Sequence, residues 1–216
     1  TYNVAAPLSE TLGAAVVTLA RYRAELPLID PMCGSGTMPI EAAMIAQNRA
    51  PGLGRAFAAE AWPFVEPSVW RLAREEAHDS IRPVKLSILG SDADPRCIEL
   101  CKRHARKAGV TVDWAVRPVE TLADARTGGV LVCNPPYGER MLDRQEAERL
   151  YRRMRERFDL LNGWSVNIIT AFQDFERVYG KRAVQRRKLS NGGMTCCLYR
   201  YAERTNECSG KEPQKE

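Results

Sequence analysis

The sequence predicts a doubly wound α/β domain with a Rossmann-like, seven-stranded and mostly parallel sheet. Short apolar runs alternate with helix-period segments from Leu28 onward, which is typical of repeated strand–helix–strand units. A glycine-rich loop joins the first apolar run to the first of these helices. Only residues 190–193 separate the last two runs, which fits an antiparallel hairpin and leaves no room for a crossover helix.

Each predicted element follows from its local pattern, because strands appear as short apolar runs and helices carry apolar residues at helical spacing. The terminal hairpin further predicts that the sheet ends with one reversed strand. The predicted strands are Leu28–Asp30, Ser87–Ser91, Val112–Val116, Val130–Cys133, Ser165–Thr170, Val184–Leu189 and Met194–Tyr201. The predicted helices are Thr37–Gln47, Pro95–Ala108, Arg144–Leu161 and Asp174–Tyr179.

We expect residues 1–202 to form one domain, with an insertion at about 49–83 and a disordered polar tail at 203–216. The insertion is rich in aromatic residues and has a helical pattern from Ser68 to about Asp79. It has two interpretations. Arg55, Trp62 and Trp70 contact RNA, or the aromatic residues form a small satellite core.

Composition points to a soluble, cytoplasmic protein, because the chain has neither an 18-residue apolar run nor a secretory leader. The seven cysteines are odd in number and lack paired C-x-x-C spacing, so we expect reduced thiols and no metal site. Cys97 and Cys101 lie one helical turn apart, which favours ordinary helix packing over a metal or redox pair. 

The net charge of +5 is concentrated in two clusters, which fit a polyanionic partner or a solvated surface equally well. The first cluster comprises Arg152, Arg153, Arg155 and Arg157, and the second comprises Lys181, Arg182, Arg186, Arg187 and Lys188.

The glycine-rich loop, residues 30–37, leaves an apolar strand and opens a helix, so its backbone N–H groups can approach a ligand. It lacks the Gly-Lys-Ser/Thr of a P-loop, and Pro39 occupies the third small position of a dinucleotide fingerprint. Asp30 would repel a pyrophosphate but can accept hydrogen bonds from the ammonium group of a methionine-like ligand. The loop therefore favours S-adenosylmethionine.

A second acidic position follows the next strand, at Asp92 and Ala93, where a carboxylate in this fold reaches ribose hydroxyls. An aspartate at this point is also a common helix cap before Pro95, a role that Asp94 fits better than Asp92.

The most specific motif is Asn134-Pro135-Pro136-Tyr137, directly after the apolar run ending at Cys133. Two prolines stiffen the backbone and remove its N–H donors, so carbonyl and carboxamide oxygens are left to face a ligand. An amino group needs such acceptors. The motif is a proline-rich turn or an amino-group site, and its order after the glycine loop and Asp92 favours the site.

Together these residues resemble the class I amino-methyltransferases, and more closely the bacterial RlmL-type 23S rRNA guanine-N2 methyltransferases. The likeness runs from about Ala6 to Tyr201. It implies a class I methyltransferase fold, S-adenosylmethionine as cofactor, ribosomal RNA as substrate, and an RNA-binding THUMP domain before the catalytic one. The matching segments are Ala6–Leu8, Asp30–Ala43, Asn48–Gly52, Asn134–Arg140 and Lys188–Gly192.

The resemblance also implies a set of site residues. Asn134, Pro135, Pro136 and Tyr137 would be catalytic, and the cofactor would be bound by Pro7, Asp30, Cys33, Gly34, Gly36, Thr37, Asp92, Ala93 and Glu120. Glu120 stands in for an acid that the family pattern places near Pro118, or a backbone carbonyl binds the adenine amino group instead.

The expected reaction is methyl transfer to the exocyclic N2 of guanine, for which placement of nitrogen against the methyl group suffices. Three alternatives remain open. The same motif occurs in adenine-N6 methyltransferases and in enzymes that methylate a glutamine side chain of a protein, which the basic clusters argue against. A noncatalytic RNA-binding module of the same fold is the third.

Overall fold

The computed structural model describes residues 8–137 and 141–201, apart from the side chains of residues 141–143. Its strands are β1 (Leu28–Asp30), β2 (Ile88–Asp92), β3 (Asp113–Val116), β4 (Gly129–Cys133), β5 (Trp164–Thr170), β6 (Gln185–Asn191) and β7 (Met194–Tyr201). Its α-helices are α1 (Glu10–Leu19), α2 (Thr37–Ala46), α3 (Pro67–Asp79), α4 (Pro95–Ala108), α5 (Met141–Phe158) and α6 (Phe175–Tyr179). The predicted site residue Pro7 and the predicted tail lie outside the described residues.

The seven strands form one sheet in the order β3-β2-β1-β4-β5-β7-β6. Strands β1 to β5 pair in parallel, while β7 is antiparallel to both β5 and β6. This confirms the predicted mostly parallel sheet with a terminal hairpin. All seven strands lie within two residues of their predicted bounds.

The hairpin differs from the prediction in one respect, because the reversed strand β7 lies inside the sheet and β6 forms the edge. The two sequences explain this order. Strand β6 is polar and largely exposed, whereas β7 buries Leu198, Tyr199 and Tyr201. A charged strand is suited to an edge, and an apolar strand gains more from neighbours on both sides.

Helix α1 was missed by the sequence analysis. The Ser9 hydroxyl caps it by accepting a hydrogen bond from the Leu12 amide at 3.3 Å. Its buried residues Leu12 and Val16 lie four positions apart and pack in the same core cluster as α2. Both the cap and the spacing were readable signals, but the segment precedes the first strand and so lay outside the strand–helix alternation.

The two faces of the sheet carry separate hydrophobic cores. Helices α1, α2 and α4 contribute to one core, with Val16 and Ala43 fully buried. Helices α5 and α6 contribute to the other, which contains Tyr151 and Phe175. This two-sided covering is what a parallel sheet requires. No helix among the described residues combines the length and apolar character needed to cross a membrane.

The insertion contacts the C-terminal ends of α2 and α4. The Asn48 side chain donates to the Ser80 carbonyl at 3.1 Å, and a side chain on Gly109 would meet that of Arg49. Within the insertion, Phe57 and Trp70 stack with ring centroids 5.8 Å apart.

The guanidinium of Arg55 lies 4.4 Å from the centre of the Phe57 ring. Phe57 and Trp70 are half-buried, while Arg55 is exposed and Trp62 lies at the surface beside Phe64, so the insertion forms a partly buried aromatic cluster and not a buried satellite core.

Candidate cofactor and substrate site

The site lies at the carboxyl end of β1, where the strand order reverses between β1 and β4. Strand β1 pairs with β2 on one side and β4 on the other, which makes this point the topological switch of the sheet. A cavity of about 740 Å³ opens there, a volume typical of small-molecule sites. Of the predicted site residues, it is lined by Asp30, Cys33, Gly34, Thr37, Asp92, Ala93, Glu120, Asn134, Pro135, Pro136 and Tyr137.

The glycine loop is held from several sides. The Asp92 carboxylate accepts a hydrogen bond from the Gly34 amide at 3.0 Å, and the Cys101 thiol donates to the Gly34 carbonyl at 3.2 Å. The Cys33 and Cys101 sulfurs are 3.7 Å apart and buried. Burial and this contact raise the pKa of the Cys33 thiol, so it stays protonated and serves packing rather than nucleophilic chemistry.

Gly36 lies behind the loop and is absent from the cavity wall. Its φ of +83° is in the left-handed region, and a Cβ there would come within 2.9 Å of the Trp114 ring and 3.0 Å of the Cys101 sulfur. The residue therefore lets the loop pack closely against Trp114 and Cys101, and the cofactor contact that the resemblance implies for it stays a prediction.

Asp30 is completely buried at the end of β1. Its Oδ1 accepts a hydrogen bond from the Met32 amide at 3.2 Å, whereas its Oδ2 has no partner among the described residues. Burial raises the pKa of this carboxyl well above its ordinary value, and the nearby Asp92 adds to the effect. An unpaired carboxylate oxygen that borders a cavity is suited to a cationic ligand.

Asp92 also organises the loop that follows it. While Oδ2 binds the Gly34 amide, its Oδ1 accepts from the Asp94 amide at 2.9 Å. Each oxygen keeps a further lone pair that a hydroxyl can use. Asp94 caps α4 by accepting from the Arg96 amide at 2.8 Å, which confirms the predicted cap.

Glu120 reaches the cavity from a 3-10 turn after β3. Its carboxylate lies 3.3 Å from the Arg153 guanidinium on α5, and its side chain is 35% exposed. This ion pair lies at the rim of the cavity. It could not be foreseen, since the two residues are distant in sequence and only the packing of α5 brings them together.

The motif Asn134–Tyr137 forms the opposite wall. Pro135 is buried, and the Tyr151 hydroxyl donates to the Pro136 carbonyl at 2.8 Å. The half-buried Asn134 carboxamide has no hydrogen-bond partner among residues 8–137 and 141–201. Leu8, a neighbour of the predicted Pro7, also lines the cavity, together with Met38 and Leu150, two apolar residues that no sequence pattern indicated.

Comparison with known proteins identifies the family. A family model described as "RMKL-like, methyltransferase domain" matches residues 1–200. The chain belongs to this family. Its methyl donor is S-adenosylmethionine, the cofactor expected from the glycine loop.

Individual relatives agree with this assignment. YpsC of Bacillus subtilis (strain 168), named among RNA methyltransferases, is 39% identical over 91% of this chain and 52% of its own length. The ribosomal RNA large subunit methyltransferase K/L of Hahella chejuensis is 37% identical over 99% of this chain and 32% of its own length. The chain thus spans about half of YpsC and a third of the K/L protein.

Solved structures show the same architecture. SMU.472, crystallised with SAH, has a TM-score of 0.89 and 38% identity over 95% of this chain and 55% of its own. A protein from Listeria monocytogenes str. 4b F2365, described as a predicted N6-adenine-specific DNA methylase, has a TM-score of 0.87 and 40% identity. It covers 94% of this chain and 53% of its own. The class I methyltransferase fold is thereby confirmed.

The cavity fits S-adenosylmethionine on structural grounds. Its wall includes the buried Asp30 Oδ2, which has no partner among the described residues and can accept from an ammonium group, and the Asp92 carboxylate at the end of β2, which can accept from ribose hydroxyls. The chemistry of these donors and acceptors matches an amino-acid nucleoside better than a polyphosphate.

Proposed function

We propose that this domain transfers the methyl group of S-adenosylmethionine to the exocyclic N2 of a guanine in large-subunit ribosomal RNA. The names of the K/L relatives and the position of the amino-acceptor motif opposite the cofactor loop support this proposal. The reaction belongs in the bacterial cytoplasm, where ribosomal RNA is found.

On the cofactor side, Asp30 and the loop residues Cys33, Gly34 and Thr37 would bind the methionine part. Asp92 and the adjacent Ala93 would bind the ribose, and Glu120 the adenine amino group. Gly36 would keep the loop close to α4. When bound, the cofactor supplies a methyl group already activated by its positive sulfur, so the protein needs neither a metal nor a strong base.

On the substrate side, the Asn134 carboxamide oxygen and the Pro135 carbonyl would accept the two hydrogens of the amino group. By accepting these two hydrogen bonds, the oxygens would direct the nitrogen lone pair at the methyl carbon. They would also stabilise the positive charge that develops on the nitrogen. The N–C bond forms as the S–C bond breaks, and the nitrogen then loses a proton to solvent. Tyr137 would stack on the base, whose extrusion from a helix costs a few kcal/mol.

The observation that carries the proposal is that one cavity is lined by two polar groups that have no hydrogen-bond partner among the described residues. The Asp30 Oδ2 suits the cation of the cofactor, and the Asn134 carboxamide suits an amino group. The chain's partial coverage of its relatives further supports a longer protein with an RNA-binding THUMP domain.

The test is methyl transfer from tritiated cofactor to ribosomal RNA from cells lacking the gene, followed by mass spectrometry of nucleosides. We expect N2-methylguanosine. N6-methyladenosine would instead establish the second candidate, adenine-N6 methylation, which the description of the Listeria protein favours. Cofactor and RNA binding without transfer would point to the noncatalytic module.

A further inference from the structure

The two basic clusters of the chain behave differently once folded. In the first, on α5, Arg152 lies 3.7 Å from Glu148, Arg153 lies 3.3 Å from Glu120, and Arg155 lies 3.4 Å from Asp159. Three of its four arginines therefore pair with acids of the protein, although Glu148 also pairs with Arg144 and Asp159 also pairs with Lys181. This cluster is explained by helix and cavity packing and needs no external anion.

The second cluster lies on the β6–β7 hairpin and is far less neutralised. Residues 181–201 contain six cationic side chains and no acidic one. Lys181 and Arg186 pair with acids of other elements, at 2.7 Å and 2.8 Å. Three exposed cations have no ion-pair partner in the part of the chain that the structure describes, namely Arg182, Arg187 and Lys188.

The turn of the hairpin lies at the same end of the sheet as the cavity. Because β7 is antiparallel to both its neighbours, β6 runs parallel to β1–β5 and ends at the sheet edge where the cavity opens. Its turn, Gly192-Gly193, has φ values of 57° and 90°, and no atom lies within 4 Å of where either Cβ would be. The turn therefore leaves room for another backbone to approach closely.

As the outermost strand of the described sheet, β6 also has one side whose backbone N–H groups pair with no other described strand. Cations, free N–H donors and an open glycine turn together suit the phosphates of a nucleic-acid strand. Charged side chains alone suffice to keep a protein in solution, so solubility does not explain why an open glycine turn and free backbone N–H groups occur beside the cations.

We propose that Arg187, Lys188 and the Gly192-Gly193 turn, the hairpin surface, bind the sugar-phosphate backbone of RNA flanking the target nucleotide; Arg182 precedes β6 at the other end of the sheet and is not part of this surface. This inference rests on the proposed function, since it assigns the RNA strand a path from the cavity to the sheet edge. The competing explanation is that charges on an edge strand merely prevent pairing between copies of the protein.

The test uses the full-length protein and an unmodified large-subunit rRNA transcript, in filter binding across a salt series. For the double variant Arg187→Gln/Lys188→Gln we expect about tenfold weaker binding at about 0.15 M salt. The slope of log Kd against log salt should shrink by about 1.4, because each single-strand phosphate contact contributes about 0.7. Turnover at saturating RNA and cofactor affinity should not change.

Two controls isolate the hairpin. Arg103→Gln/Lys107→Gln removes the same charges from exposed positions of α4, next to the opposite edge of the sheet, and should preserve the slope. Arg187→Lys/Lys188→Arg keeps the charge and should retain binding.

An unchanged slope in the hairpin variant, or self-association without loss of RNA binding, would overturn the proposal. Since binding is measured without transfer, an inactive wild-type protein would count against the proposed function alone.

Discussion

The two walls of the cavity, which we propose bind the cofactor and the substrate, are built in different ways. The cofactor wall, residues 30–37, is tied to β2 and α4 by hydrogen bonds at Gly34, and a further bond joins the Ser35 carbonyl to His104 at 3.0 Å. The substrate wall, residues 134–137, takes its stiffness from two prolines, and the Tyr151 hydroxyl holds the Pro136 carbonyl.

This difference assigns separate tasks to the walls. A loop fixed by side chains from several elements can be preformed for a ligand that binds in the same way every cycle. A stiff but sparsely bonded tetrapeptide keeps its acceptors free, as the unpartnered Asn134 carboxamide shows within the described residues. Changes on the cofactor wall should therefore alter affinity, and changes on the substrate wall should alter turnover.

The largest expected effect comes from Asn134→Ala. Loss of one fixed acceptor at the reacting nitrogen should lower kcat on the order of 100-fold, while cofactor Kd stays within about twofold. Single-turnover kinetics and titration calorimetry measure the two quantities. Asn134→Asp, which retains an acceptor oxygen, should be less impaired. Equal losses in turnover and cofactor affinity would show that the walls are not separate.

On the cofactor wall, Asp30→Asn should weaken cofactor binding by about 10- to 100-fold, because a charged hydrogen bond is lost. The ligand-free variant should nevertheless melt at a higher temperature at pH 8, since a buried unpaired carboxylate is removed. Calorimetry and thermal denaturation test both effects. Asp113→Asn, at an exposed position of β3, is the control and should change neither.

The raised pKa of Asp30 gives the same wall a pH dependence. Below its folded pKa the carboxyl holds a proton that the unfolded chain has already released, so ligand-free stability falls as pH rises through that range. Cofactor binding has the opposite sign, because it needs the carboxylate and should strengthen as pH rises. Wild-type affinity that is independent of pH, with Asp30→Asn still impaired, would contradict this coupling.

A smaller effect is expected for Tyr151→Phe, which removes the hydrogen bond to the Pro136 carbonyl. We expect kcat to fall by less than about tenfold and stability by about 1 kcal/mol, because Pro136 is exposed enough for water to replace the hydroxyl. Burial raises the pKa of Tyr151, so the hydroxyl stays a donor throughout the assay range. The matched change Tyr179→Phe, in the same core, should leave kcat unchanged. Loss of cofactor affinity in Tyr151→Phe would be the unexpected result.

Much of this site was readable along the chain. Two local patterns were informative: glycines that follow one apolar strand, and a double proline that follows another. Their effects on the backbone do not depend on distant residues, and both segments line the cavity. The Glu120–Arg153 ion pair and the contact between Cys33 and Cys101 were beyond reach, since each joins segments from separate elements. Helix α1 was missed even though its cap and spacing were local.

The sequence by itself determined the strand–helix alternation, the class of cofactor loop and the amino-acceptor motif, because hydrophobic period and backbone restriction act over a few residues. Tertiary structure alone decided that β7 lies inside the sheet and β6 at its edge, and that Gly36 supports the loop from behind. It also decided which basic side chains form ion pairs with acids of other elements. Charge pairing and burial depend on which elements become neighbours, and that is settled by how the whole core packs.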